Sequence, residues 1–174
     1  MSITLTSRQP GLMPQELHQL QRSLGFALSP SYAAFLQRFN GAIPEHNILE
    51  TLGLTASVSS FLGRAPQPLD DLEETYQTYF DRLPEQTMPV ALAAGGNLIV
   101  LNISTGKVYF WDHENEAAAG EQPSYSNMHL LAETFDDFME LLMPYDPNTV
   151  TLDPAAVISV KLKPGFAEKF KNRL

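Results

Sequence analysis

Apolar residues recur at helical spacing in two segments near the start of the chain. Pro14 opens the first, in which leucines at 17, 20 and 24 form one face that ends near Gly25. Ser29 and Pro30 supply an N-cap and a first-turn proline for the second. Its apolar stripe, at i, i+3, i+4 and i+7, consists of Tyr32, Phe35, Leu36 and Phe39. Asn40-Gly41 predicts the stop of this helix, with Gly41 at positive φ.

Two later segments carry the same signature. Asp70 is a suitable cap for a helix over 70–83, and three further carboxylates lie in its first turn, where the helix dipole favours anions. The inward face of this helix is predicted to contain Leu72, Tyr76, Tyr79, Phe80 and Leu83. A second helix is predicted from Thr134 to Leu142, with Thr134 as its cap, and Pro144 closes it.

Between these helices the period changes to that of strands. Three runs, at 90–94, 98–102 and 107–113, are rich in β-branched and aromatic residues and are joined by glycine-containing turns, which predicts an antiparallel meander. Residues 98–101 are all apolar, so this strand should be buried on both faces. One or two short strands are expected between Ile43 and Arg64. Residues 157–162 predict an edge strand, and a short basic helix should follow Pro164.

Length and composition narrow the class of protein. A chain of 174 residues fits one domain, 1–174, with a sizeable core. The absence of cysteine excludes disulfides and thiolate chemistry. The N-terminus lacks the pattern of a signal peptide, and no apolar run approaches the roughly 20 residues of a membrane span. We therefore expect a cytoplasmic protein that does not engage a membrane.

Charge is unevenly distributed along the chain. Nineteen acidic and six basic residues precede Ser159 and give this body a charge of −13, whereas the tail carries +4. Such a body repels nucleic acid and accelerates association with a basic partner, although net negative charge also simply keeps a protein in solution. The aromatic and basic residues of the tail are more typical of a terminal helix docked on its own domain than of a membrane-surface helix.

The sequence contains no recognisable catalytic or cofactor motif. Gly95-Gly96 lacks the spacing of a phosphate loop or a dinucleotide fingerprint, and no serine lies in a nucleophile elbow. The four histidines are scattered, so we expect no metal site and no cofactor. Asp112-His113-Glu114 is the one crowded set of titratable groups. On a strand its two carboxylates would share a side with His113 opposite, a geometry that disfavours a three-ligand site. A pair of carboxylates could do acid-base work, but such a pair is more commonly a solvated strand end.

Four motifs, in this order, resemble the SUKH superfamily. The family shows a helix with the pattern Leu-Pro-x-x-Tyr-x-x-Phe-Leu ending in Asn-Gly, a Gly-Gly hairpin, a strand ending in an aromatic-acidic segment, and a late helix that begins Ser/Thr-Phe-x-x-Phe. The matching residues here are Leu28 to Leu36 with Asn40-Gly41, Gly95-Gly96, 108–114, and Thr134 to Phe138. Ser29 is an insertion in the first motif. The resemblance covers about 17–142, and no motif covers 144–174.

The resemblance implies an α+β fold with a central, largely antiparallel sheet and surrounding helices. It also implies a non-catalytic immunity protein that binds and neutralises a cognate polymorphic toxin of nuclease or deaminase type. A regulatory scaffold without a toxin partner is the alternative, and an uncharacterised hydrolase is the third. The partner-binding candidates are carboxylates that match a basic toxin, together with the only tryptophan: Asp70, Asp71, Glu73, Glu74, Trp111, Asp112, Glu114 and Glu116. A helix N-terminus is the simpler explanation of the carboxylates at 70–74, and Trp111 is more typical of a core or sheet-rim position than of an interface.

Overall fold

The computed structural model describes residues 4–51, 53–65, 71–118 and 120–145. Asp70, the strand predicted at 157–162 and the basic helix predicted after Pro164 lie outside these residues. Within them the chain forms nine strands and four α-helices. The α+β prediction is therefore confirmed.

The strands form one antiparallel sheet whose long central member is β4. The spatial order is β1-β2-β4-β5-β6-β7-β8, and β3 pairs with the first half of β4 and with β9. The predicted meander is β5, β6 and β7, and its antiparallel pairing is confirmed. The strand bounds are β1 Leu5–Ser7, β2 Ala42–Pro44, β3 Ile48–Thr51, β4 Leu54–Phe61, β5 Thr87–Ala93, β6 Leu98–Asn102, β7 Val108–Trp111, β8 Met128–Ala132 and β9 Leu142–Met143.

The helices follow the predicted capping signals closely. They are α1 Pro14–Leu24, α2 Pro30–Arg38, α3 Leu72–Tyr79 and α4 Phe135–Leu141. Gly25 ends α1 at φ 84°, the Ser29 hydroxyl accepts the backbone N–H of Tyr32, and Thr134 accepts that of Asp137. Helix α2 ends one residue before Phe39, which is consequently only half-buried, unlike the other three residues of its predicted stripe.

Asn40 and Gly41 join the end of α2 to two distant segments. Gly41 has φ 83°, as predicted, and Asn40 itself is left-handed at φ 43°. The buried Asn40 amide donates to the Pro10 carbonyl at 2.9 Å, and its oxygen accepts the Arg64 N–H at 2.7 Å. A Cβ on Gly63 would lie 2.4 Å from the Asn40 backbone, so the segment that leads into α3 can only pass this close with glycine there.

The sheet is covered on both faces, and β6 shows this most clearly. All five of its residues are buried. Ile99 and Leu101 belong to the main core with α1, α2 and α4, whereas Leu98 and Val100 pack with Leu83 and Trp111 in a smaller cluster on the other face. The predicted two-sided burial of this strand is confirmed, and the smaller cluster positions the residues that follow α3.

Candidate partner-binding surface

Asp71 fixes the start of α3. Its Oδ1 accepts the backbone N–H groups of Glu73 and Glu74 at 3.0 and 3.1 Å, and its Oδ2 accepts that of Ala65 at 2.9 Å. The carboxylate is buried and lies 3.6 Å from the Arg64 guanidinium. The cap is therefore Asp71, one residue later than the Asp70 predicted from the sequence, and this carboxylate is already fully engaged within the chain.

Glu73 ties α3 to two neighbouring segments. It forms an ion pair with Arg64 and accepts a hydrogen bond from the Ser23 hydroxyl on α1. Glu74, the next residue, is exposed and has no hydrogen bond or ion pair with any other described side chain. Two adjacent candidates thus differ, because one is paired within the chain and the other is open to a partner.

Trp111 lies at the centre of a cluster of packed side chains beneath the end of α3. It is 1% exposed, and its ring meets that of Tyr79 edge-on at 5.7 Å. The Arg82 guanidinium lies 4.6 Å from the Tyr79 ring and 5.4 Å from the Trp111 ring. The core position considered for Trp111 is thus the one observed, and a partner reaches this tryptophan only through the residues stacked on it.

Arg82 also holds the loop that carries the remaining acidic candidates. Its Nε and Nη2 donate to the two carboxylate oxygens of Glu116 at 2.9 and 2.8 Å, the bidentate geometry that arginine favours. His113 Nδ1 lies 3.6 Å from the same carboxylate. Because Arg82 and Glu116 are 34 residues apart, no local pattern indicates their pairing, and sequence reasoning missed it.

Residues 112–115 do not continue β7, contrary to the strand predicted over 107–113. The chain turns at Asp112 into a single turn of 3-10 helix, His113–Asn115. Asp112 caps this turn: its Oδ1 accepts the Glu114 N–H at 3.0 Å, and its Oδ2 accepts the Asn115 amide at 2.7 Å. The expected placement of Asp112 and Glu114 on one side of a strand is therefore wrong, because the Asp112 carboxylate accepts the Glu114 backbone N–H in place of a strand partner.

The 3-10 turn is fastened to the Gly-Gly hairpin between β5 and β6. Asn97 Oδ1 accepts the His113 N–H at 2.9 Å, and Asn97 Nδ2 donates to the Ala94 carbonyl. Gly96 has φ 82°, and a Cβ there would lie 3.1 Å from the His113 ring. Glu114, which follows His113, is exposed, and its carboxylate has no partner among the described residues.

A groove of about 300 Å³ separates α3 from this hairpin, and we call it the hairpin groove. Glu74, Thr78 and Tyr79 form the helix side, and Leu92, Gly96 and Asn97 contribute to the other. Glu74 stands at its rim, and the 3-10 turn with Glu114 borders the hairpin wall. The structure therefore leaves Glu74 available at the rim of an apolar groove, and Glu114 available on the 3-10 turn that is hydrogen-bonded to the hairpin. Asp71, Asp112, Glu73 and Glu116 are engaged in caps and ion pairs.

No group of three or more histidine, aspartate or glutamate side chains within the described residues is arranged to hold a metal ion. In the same part of the chain, no helix has the length and apolar character needed to cross a membrane.

The described residues form a mixed α+β domain with an antiparallel sheet, an apolar groove and carboxylates that have no partner among these residues. Residues 11–141 match the model of the SMI1 / KNR4 family (SUKH-1), and the chain belongs to this family. Its members are typically immunity proteins. The chain is also similar to the SPbeta prophage-derived uncharacterized protein YokK of Bacillus subtilis (strain 168). The identity is 29% over 144 residues, which is 72% of this chain and 71% of that protein.

Proposed function

We propose that this chain is an immunity protein that neutralises a cognate protein toxin by binding it, without catalysis of its own. The observation that carries the proposal is membership of the SUKH-1 family over residues 11–141, a family typical of immunity proteins. The resemblance found in the sequence motifs is confirmed by this match. A toxin that acts on nucleic acid, such as a nuclease or a deaminase, needs a basic substrate cleft, and the acidic body of this chain complements such a surface.

The hairpin groove supplies a specific contact surface for this purpose. Glu74 and Glu114 have no cationic partner among the described residues, so pairing with a toxin lysine or arginine would break no existing ion pair of the chain. Carboxylates presented in this way occupy the positions that substrate phosphates otherwise take. The Asp71 cap holds the helix wall, and the hydrogen bond between the His113 N–H and Asn97 holds the hairpin wall, so little ordering is needed when the partner binds.

Co-expression tests the proposal. The toxin candidate is the protein encoded by the gene adjacent to that of this chain, produced from an inducible promoter with and without this chain. We expect the wild-type chain to restore growth, and the double variant Glu74→Lys, Glu114→Lys to restore it less, because the new charges repel a basic cleft. The matched control, Glu45→Lys with Glu50→Lys, makes the same change of charge at exposed residues outside the groove.

Growth that is equally inhibited with and without the wild-type chain would contradict the immunity function. Equal rescue by both double variants would leave the function in place and exclude the hairpin groove as the contact surface.

A further inference from the structure

Phe80 exposes a large aromatic ring at the end of α3. The sequence places it on the inward face of a longer helix, but α3 ends at Tyr79 and the Phe80 side chain is 64% exposed. This prediction is wrong because the buried residues of α3 are Leu72 and Thr75, and Phe80 lies outside the helix face that these two define. An aromatic ring of this exposure is the kind of residue that dominates binding energy once a partner covers it.

A second groove, of about 450 Å³, lies beside this ring, and we call it the Phe80 groove. Tyr76, Leu83 and Pro123 contribute apolar surface, and Asp81 and Glu85 contribute carboxylates. The Phe80 ring meets the Tyr76 ring edge-on at 5.7 Å, and Tyr76 in turn meets Phe26 at 5.6 Å. The exposed ring is thus supported by a row of aromatic contacts.

The floor of the Phe80 groove is held by an unusual backbone conformation. Gln86, one of its lining residues, has φ 60°, which is costly for a residue with a side chain. The Gln86 carbonyl accepts the Ile103 N–H at 2.8 Å, and its side chain accepts the Ser104 hydroxyl. The Thr87 hydroxyl donates to the Pro84 carbonyl at 2.5 Å. These bonds fix the turn before β5, so the groove is formed before any partner arrives.

Charge selects the occupant of the Phe80 groove. Asp81 and Glu85 form no ion pair with any described residue, and the neighbouring cation, Arg82, is engaged with Glu116. The acidic body of a second copy and a nucleic acid would both bring negative charge to these carboxylates. A lysine or arginine side chain fits instead. Its cationic head can pair with a carboxylate beside the Phe80 ring, and its aliphatic stem can lie against that ring.

We propose that the Phe80 groove is an anchor site for a basic segment of the protein toxin, with Phe80 as the main contact and Asp81 and Glu85 as the partners of its lysine or arginine residues. This inference rests on the proposed immunity function. It adds a contact surface on the other side of α3 from the hairpin groove, formed by residues that are absent from the sequence-based candidates.

The experiment measures binding of the purified full-length chain to the toxin domain encoded by the adjacent gene, by biolayer interferometry at two salt concentrations. We expect Phe80→Ala to weaken binding about 30-fold, as loss of an aromatic anchor does. The double variant Asp81→Asn, Glu85→Gln should weaken it about tenfold and reduce its salt dependence. The controls are Leu130→Ala, another exposed apolar residue, and Glu45→Gln with Glu50→Gln.

Thermal unfolding of each variant establishes that the fold is unchanged, as expected for exposed side chains. If the wild type binds the toxin and either Phe80→Ala or the charge variant binds within twofold of it, the anchor site is excluded while the immunity function stands. If the wild type itself does not bind, both proposals are overturned.

Discussion

At the scale of single residues, the Tyr32 hydroxyl is the most unusual polar group of the core. The side chain is fully buried, its ring meets that of Phe135 edge-on at 5.0 Å, and its hydroxyl has no hydrogen-bond partner among the described residues. Burial raises the pKa of this phenol far above its ordinary value, since the phenolate would be still more poorly solvated there. The aromatic ring of Tyr32 stabilises the core, whereas its unpaired hydroxyl lowers the stability of the folded state.

Tyr32→Phe is therefore expected to stabilise the protein by about 1 kcal/mol, because it removes a buried polar group that is left unsatisfied. Urea denaturation measures the change. Tyr125→Phe is the matched control, since the Tyr125 hydroxyl accepts a hydrogen bond from Asn102 at 2.8 Å and its removal should destabilise by a similar amount. A loss of stability in Tyr32→Phe as large as that of the control would show that the Tyr32 hydroxyl is bonded.

The free energy of unfolding is also expected to depend on pH through Tyr32. Above about pH 10 the phenol ionises in the unfolded chain, whereas the raised pKa keeps Tyr32 protonated in the folded one. The folded state then binds more protons, so the free energy of unfolding falls as pH rises. The wild type should lose stability relative to Tyr32→Phe above this pH, and a constant difference between them would contradict the assignment.

At the scale of elements, α3 separates the two grooves and carries residues with different tasks. Its cap, Asp71, satisfies two backbone N–H groups of the first turn and one of the preceding loop, whereas Glu74 projects from the same turn to the rim of the hairpin groove. Both were candidates for the same acidic surface in the sequence. Their hydrogen bonds predict that a substitution at Asp71 acts on folding and one at Glu74 acts on binding.

Asp71→Ala is expected to lower the free energy of unfolding by about 2 kcal/mol, the cost of losing a helix cap and leaving a buried N–H unpaired. Glu74→Gln should change it by less than about 0.5 kcal/mol, as is usual at an exposed position. Urea denaturation of both variants gives the comparison. Equal stability of the two proteins would mean that the start of α3 contributes nothing to folding.

Elements with strong local signals could be predicted, and those defined by distant partners could not. Ser29, Gly25 and Thr134 set helix ends through bonds within a few residues, and the glycine turns fix the meander of β5, β6 and β7. Strands β1 and β9 were missed because each is short and pairs with a strand far away in sequence; β9, for example, pairs with β3. Strand β8 was missed as well, and it pairs with β7 across the polar loop that separates them.

The candidate partner-binding surface could also be predicted only in part. The sequence shows that it is acidic, but it does not show which carboxylates are free to contact a partner. Glu73 and Glu116 are paired with arginines, Asp71 and Asp112 cap turns, and only the fold distinguishes them from Glu74 and Glu114. Phe80 was assigned to the core because its spacing fits α3, but the buried face of that helix is centred on Leu72 and Thr75 and leaves Phe80 exposed.

At the scale of the whole molecule, the arrangement of charge matters more than its total. The body before Ser159 carries −13, and its few cations are largely committed within the chain: Arg64 to Glu73, Arg82 to Glu116 and Lys107 to Glu133. The hydrogen bond and charge of Glu133 raise the pKa of Lys107, so this cation stays charged. The remaining carboxylates therefore produce a negative field with little local compensation, which attracts a basic partner from a distance.

This field predicts how association with the toxin domain depends on salt. The association rate constant should fall by about tenfold or more between low and physiological ionic strength, because the screening length shortens to about 8 Å, while the dissociation rate constant changes little. Glu74→Lys with Glu114→Lys should slow association more than it speeds dissociation, and its salt dependence should be shallower. Stopped-flow mixing gives both rate constants. An association rate independent of salt would mean that the grooves recognise their partner by shape and apolar contact, with the acidic surface serving only to keep copies of the chain apart.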